Sequence, residues 1–212
     1  MRTLLKLGVA AAIVVSMYYA IVRVAEEKAN ALAGGQTFVL DQQSPEEWNA
    51  FGELRVRLRE WSEPDLAVAL LRLQENGDLW VAPRLEGGRS AIFVSALNLV
   101  TRIFVRRDEL VARDLPFPDL DAPEPAQRTF ATIRLAGTLF HELQHYEGLE
   151  DEADTYEQEI DWYHGLRERM LDRLGGEEQR WFEWAVDSAI ETATAARDKA
   201  EEWKEMRDAT VE

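Results

Sequence analysis

The spacing of hydrophobic residues changes character three times along the chain. The first stretch, Leu7 to Val22, is uncharged, with Arg2 and Lys6 before it and Arg23 after it. Only Ser16 and two tyrosines bring polar atoms into it, which reads as a membrane helix rather than a core helix. The run is a little shorter than the about 20 residues of a spanning helix, and a snorkelling Arg23 extends it to Ala25. Ala31-Leu32-Ala33 offers small residues for signal cleavage and a secreted product. Glu26, Glu27 and Lys28 separate that site from the apolar run, so an uncleaved anchor is the better reading. The flanking charges put the N-terminus inside and the rest of the chain on the extracytoplasmic side. Residues 26–36, closing on Gly34-Gly35, read as a linker.

Beyond the linker the period becomes helical. Ser44-Pro45-Glu46-Glu47 combines a cap, a first-turn proline and first-turn acids, and predicts a helix to about Arg59. Ser62-Glu63-Pro64-Asp65 opens a second, ending near Asn76-Gly77. The pattern then turns β-like: Leu79–Ala82 and Ala91–Ser95 are short apolar runs around Gly87-Gly88, which predicts a hairpin. Ile103–Val105 is a candidate third strand, and 98–102 reads equally as strand or helix. Pro116, Pro118, Pro123 and Pro125 mark a loop. From Ala126 onward three helices are expected: one ending at Gly148, one over about 150–174, and one over about 177–208.

Charge sharpens this division. The chain has 212 residues, with 24 Lys and Arg against 40 Asp and Glu, a net charge of -16. Arg2, Lys6, Arg23 and Lys28 against Glu26 and Glu27 leave residues 1–35 at +2, so residues 36–212 carry -18. Such acidity argues against a nucleic-acid partner and for a domain that stays off an anionic lipid surface. Arg106-Arg107, beside Asp108 and Glu109, reads as a solvated turn rather than a binding patch. There is no cysteine, which excludes disulfides, thiol nucleophiles and cysteine zinc fingers. The only histidines are His141, His145 and His164.

Two of those three histidines stand in His141-Glu142-Leu143-Gln144-His145, an HExxH pattern on the most apolar of the C-terminal helices. A spacing of four puts both imidazoles on one face, one turn apart, where they can share a Zn2+ ion. Glu142 is rotated off the pair yet stays beside the metal, where it can act as general base. A catalytic site needs a third ligand, and the candidates are Glu150, Asp151, Glu152, Asp154, Glu159 and His164. Glu152 lies about 60° from the apolar stripe of the next helix (Leu149, Ala153, Tyr156, Ile160, Tyr163) and is the acid best aimed at the histidines. Asp151, which completes an HExxHxxGxxD spacing, stays open, as do Glu159 and His164. Tyr156 is a candidate oxyanion donor, with a plain core role as the alternative.

Residues 137–163, with HExxH followed by Glu152-Ala153-Asp154-Thr155-Tyr156, resemble the core of small zincin metallopeptidases of the gluzincin type. The resemblance implies His141, His145 and Glu152 as zinc ligands and Glu142 as catalytic base and proton shuttle. It also implies a β-sheet before the active-site helix, with an edge strand receiving an extended peptide or protein substrate; the 79–95 region is where that strand is expected.

The expectation is therefore an α+β protein: a mainly helical zincin-like domain with a small β-sheet, preceded by an N-terminal transmembrane helix. Its parts are a membrane segment (1–25), a linker (26–36), a metallopeptidase domain (37–175) and a long acidic helix (176–212). The expected activity is membrane-anchored, zinc-dependent peptide hydrolysis; the alternative is a non-catalytic zinc-binding or helical scaffold protein tethered to the membrane.

Overall fold

The structure is a computed structural model that describes residues 2–32, 45–85, 89–97, 99–111 and 123–209. The expected cap at Ser44 and the paired glycines at 34–35 and 87–88 lie outside the described residues, as do Pro116 and Pro118. The order of elements is α1 (Arg2–Leu32), α2 (Pro45–Glu60), α3 (Pro64–Asn76), β1 (Leu79–Ala82), β2 (Ala91–Ala96), β3 (Val100–Arg106), α4 (Arg107–Val111), α5 (Glu124–Tyr146), α6 (Glu152–Leu171) and α7 (Gly176–Ala209). The protein is α+β, mostly helical with one three-stranded sheet.

The sheet corrects the expected hairpin. Its order is β1-β3-β2: β1 runs parallel to β3, and β2 runs antiparallel to it. β1 and β2 therefore flank β3 and do not pair with each other. β3 takes the centre because nearly its whole length is buried, including Val100, Ile103, Phe104 and Val105, as suits a strand covered on both faces. Alternation then sorts the side chains. Leu79, Val81, Ala91, Ile103 and Val105 join the main core with α2, α3, α5, α6 and α7. Trp80, Ala82, Val94, Val100 and Phe104 point to the other face, where Ala25 and Ala29 of α1 cover them.

That second face corrects the linker. Residues 26–32 are the last turns of α1, with Ala25 and Ala29 fully buried on the sheet and Glu26 paired with Arg102 at 3.1 Å. The small Ala-x-x-x-Ala spacing lets the helix backbone come close to the strands, a use of the alanines that a reading of charges alone does not reveal. The side chains of α1 are described from Val14 onward, and among the described residues no helix is long and apolar enough to cross a membrane. The expected transmembrane helix thus draws no support from the fold. What α1 does present is exposed apolar surface at Val14, Val15, Met17, Tyr18, Tyr19, Ile21 and Val24.

The first half of α7 belongs to the same core as α5 and α6 through Phe182, Ala185, Val186, Ala189 and Ala193. Arg106 and Arg107 are not a solvated turn. Arg106 pairs with Asp108 at 2.5 Å and with the buried Glu109, while Arg107 reaches Glu47 at 2.8 Å and Glu46 at 2.9 Å, which ties α4 to α2.

Candidate metal centre

α5 is fixed by an apolar face: Ile133, Ala136, Leu139 and Leu143 are buried in the main core. The helix ends at Tyr146, and Gly148 follows with φ +105°, a conformation that favours glycine. This turn brings the Leu149 carbonyl back to His145, whose Nδ1 lies 2.6 Å from it. Asp151 then caps α6, its carboxylate accepting from the Ala153 and Asp154 amides at 3.0 and 3.2 Å. Glu152 is the first residue of α6 and faces the histidines.

Three donor atoms converge. His141 Nε2 and His145 Nε2 are 3.2 Å apart, and Glu152 Oε2 lies 3.3 Å from the first and 3.5 Å from the second. Tetrahedral zinc with bonds of about 2.0–2.1 Å holds its ligands about 3.3 Å apart, so the donor set fits that ion. The chemistry fits as well: two imidazoles and a carboxylate are the set of a catalytic zinc with an open position. The His141 side chain is only 6% exposed, whereas that of Glu152 is 58% exposed, which opens the site to solvent on the α6 side.

The far nitrogen of each imidazole is also engaged. His145 Nδ1–H donates to Leu149 O, and His141 Nδ1 lies 3.2 Å from Glu159 Oε2. Glu159 is buried and accepts from the Tyr163 hydroxyl at 3.0 Å. Tyr163 in turn lies against Gly137 so closely that a Cβ there would collide with its Oη and Cζ and come within 2.8 Å of its Cε1. A chain from Gly137 through Tyr163 and Glu159 therefore sets the orientation of His141 and leaves both Nε2 atoms facing one point.

Glu142 sits on the other side of the pair. Its Oε2 accepts the backbone N–H of Phe93, on strand β2, at 2.6 Å. The Phe93 ring stacks on His145 with centroids 6.3 Å apart. Burial pushes the Glu142 carboxyl up, against the pull of His141, the Phe93 amide and His145. For His141, burial disfavours the charge, but the hydrogen bonds to Glu152 and Glu159 outweigh it and push the imidazole up to about 9. His145 is raised mainly by Glu152. The Glu152 carboxyl is held far below the usual carboxylate range by its bonds to both histidines. Tyr156, with its ring centroid 4.4 Å from that of His141, is pushed up to about 12 by burial and by Glu152, Glu159 and Glu142, so its hydroxyl keeps its proton at neutral pH.

The other candidate ligands lie elsewhere. Asp151 is occupied as the cap and by Lys204 at 2.6 Å. Glu159 approaches the wrong nitrogen of His141 to share a metal with Nε2. Glu150, Asp154 and His164 are exposed and outside the cluster. Sequence reasoning missed the supporting role of Glu159 and the part played by Gly137 and the Phe93 amide. For Glu159 a signal existed: it is two turns from Glu152 and therefore shares its face of α6. For the Phe93 amide there was none, because a backbone group leaves no trace in composition. None of the protein-family models, curated proteins or solved structures compared with the chain matches it.

Proposed function

We propose that the protein is a zinc-dependent hydrolase of peptide bonds, with His141, His145 and Glu152 holding the metal and Glu142 as general base. The observation that supports this most is the triangle of donor atoms, with edges of 3.2, 3.3 and 3.5 Å, whose histidines are both held from behind. When bound there, zinc would activate water and polarise a carbonyl. Glu142, kept beside the histidines by the Phe93 amide and raised by burial, takes the proton of the attacking water and passes it to the leaving amine. Tyr156, protonated at neutral pH and with its ring centroid 4.4 Å from that of His141, is the candidate donor to the developing oxyanion. Glu159 and Tyr163 keep His141 in the orientation that presents Nε2.

A peptide substrate is favoured by the position of β2, an edge of the sheet. The Phe93 N–H points away from β3 to reach Glu142, so in a pleated strand the outward amides and carbonyls of Ala91 and Ser95 face the same side. An extended chain laid along that edge would run past the base. The exposure of Glu152 favours this reading over a closed, purely structural metal site. The second half of the proposal is location: the exposed apolar turns Val14–Val24, continued in sequence by uncharged Leu7–Ile13, seat in a lipid bilayer and leave the domain on the extracytoplasmic face.

The test is metal analysis of the purified full-length protein in detergent, with peptide hydrolysis measured alongside. About one zinc per chain is expected, and Glu142→Gln should keep the metal and lose hydrolysis. Stoichiometric zinc surviving His141→Ala with His145→Ala would refute the site. Full activity in Glu142→Gln would refute the mechanism.

A further inference from the structure

The junction between α1 and the sheet has a consequence for what can reach the site. α1 is one unbroken helix from its apolar turns to Leu32. Exposed apolar side chains end at Val24, and an exposed ion pair, Arg23 with Glu27 at 3.4 Å, marks the polar boundary. Ala25, the next residue, is already fully buried against the sheet, as is Ala29 one turn on. No flexible segment lies between the apolar helix and the domain.

The sheet then leads directly to the metal centre. Val94 of β2 faces the layer that contains Ala25 and Ala29. The ring of its neighbour Phe93 faces the opposite side and stacks on His145, while the Phe93 amide, in the plane of the sheet, holds Glu142 at the β2 edge. α1 and the catalytic helix α5 are thus separated by one strand layer. At about 10 Å per layer that places their axes about 20 Å apart. Along α1, the buried alanines begin about 3 Å and end about 9 Å past Arg23 at the helical rise per residue. Glu26 bonds Arg102, which pairs with Val94 beside Phe93, so Phe93 stands level with the first turn of α1 past Arg23.

We infer that this site acts on polypeptide segments lying at the bilayer surface, close to where they leave the membrane, rather than on chains free in solution. The inference rests on the hydrolase reading above and on the seating of α1 in lipid. The about 20 Å between α1 and α5 runs across the sheet, whereas height above the apolar turns is set along α1, about 3–9 Å past Arg23, so the preferred scissile bond lies within about six extended residues of the bilayer. Free peptides would have to diffuse into a cleft facing a surface, whereas a substrate anchored in the same membrane is presented there at high effective concentration.

The test uses the full chain in phosphatidylcholine vesicles. The native sequence has no cysteine, so Asp154→Cys, exposed beside Glu152, takes one fluorophore. Energy transfer from it to a headgroup-labelled lipid should be strong, and should fall when a flexible Gly/Ser linker is inserted between Val24 and Ala25. Weak transfer that the linker leaves unchanged overturns the placement, whether or not the protein hydrolyses anything. Full-length protein that forms soluble oligomers through α1 and ignores vesicles overturns it too. In the second arm one peptide is offered free, or lipid-tethered through a spacer of about six or about thirty residues, and the short-spacer form should be cut about tenfold faster or better. The linker insertion should move that preference toward the longer spacer. Equal rates for all three forms, with zinc bound and Glu142→Gln inactive, overturn the substrate class and leave the hydrolase reading intact. No cleavage of any form by zinc-loaded protein overturns both, while the energy transfer still reports the placement.

Discussion

Gly137→Ala tests the idea that the orientation of His141 is built into the core. Gly137 lies one turn before His141 on α5, and its missing side chain is the space that Tyr163 fills. Tyr163 is 1% exposed, so its ring has no solvent to move into. A Cβ at 137 would overlap the hydroxyl and come to 2.8 Å from Cε1, against the about 3.5–4.0 Å at which carbon atoms attract. Overpacking of this kind costs about 1–3 kcal/mol. The displaced hydroxyl also abandons Glu159, a buried carboxylate, and a hydrogen bond to a charged group is worth about 1.5–3 kcal/mol. Together the loss is about 2.5–6 kcal/mol, a fall in Tm of about 5–24 °C for a chain of this size. Chemical unfolding of the metal-free protein measures it. Zinc titration should show a parallel drop of about 10–100-fold in affinity, as expected when the partner of a ligating histidine is disturbed. Tyr163→Phe alone should cost about 1.5–3 kcal/mol, and combined with Gly137→Ala less than the sum, because both remove the same bond. A Gly137→Ala protein within about 0.5 kcal/mol of the native one, with unchanged zinc affinity, would refute the reasoning.

Further outcomes follow from the same geometry. Glu152→Ala should lower zinc affinity by orders of magnitude. Asp151→Ala should keep zinc and cost about 0.5–2 kcal/mol as a lost helix cap, and calorimetry with metal titration separates the two; the reverse pattern would make Asp151 the ligand. The metal-free protein should lose stability as pH rises: His141 goes from its ordinary 6.5 up to about 9 on folding, so its contribution is complete below 6.5 and disappears through about 9. Glu152, held low, is the same interaction seen from the acid, and that stability also falls as pH drops below its ordinary 4.5. Unfolding midpoints from pH 4 to pH 10 check this: His141→Ala should shrink the alkaline limb to the part that His145 carries, and an undiminished limb would refute it. Deleting residues 1–32 should expose Trp80, Val94, Val100 and Phe104 and give aggregated protein, whereas deleting 1–21 should leave a soluble domain, as size-exclusion chromatography reads. A well-behaved monomer lacking all of α1 would contradict the packing of Ala25 and Ala29.

What the sequence revealed, and what it hid, divides along the range of the interactions involved. The helices α2, α3 and α5 to α7 were legible because the prolines and glycines at their ends act within a few residues: Gly77 at φ 80° and Gly148 at φ 105° stop helices where the pattern said they would stop. The histidine pair was legible for the same reason, since four residues on one helix decide it. The direction of Glu152 was legible as well, because the face of α6 that carries Tyr156 and Tyr163 also turns Glu152 toward the histidines. The hairpin failed where range mattered. Nothing local distinguishes β1-β2 pairing from β1-β3 pairing, and the burial of β3 on both faces decided it in favour of a central β3.

The linker and the groups that hold the histidines from behind stayed hidden for a related reason. Residues 26–32 carry Glu26, Glu27, Lys28 and Asn30 and look polar, yet the two alanines among them suffice to close a sheet face, with Glu26 answering Arg102 from 76 residues away. Glu159 likewise looked like a rival ligand because spacing reports which face a residue is on and not which nitrogen it meets. Its bond to His141 Nδ1 instead orients the imidazole whose Nε2 faces Glu152. The same is true of Gly137, whose contribution is the atom it lacks. The histidine pair and Glu142 are thus written in the five residues His141–His145, while their orientation depends on partners 18 residues (Glu159) and 49 residues (Phe93) away, in the core and on the sheet edge. Variants at those distant positions, rather than at the histidines, distinguish a metal held in a working geometry from one merely captured by a chelating pair.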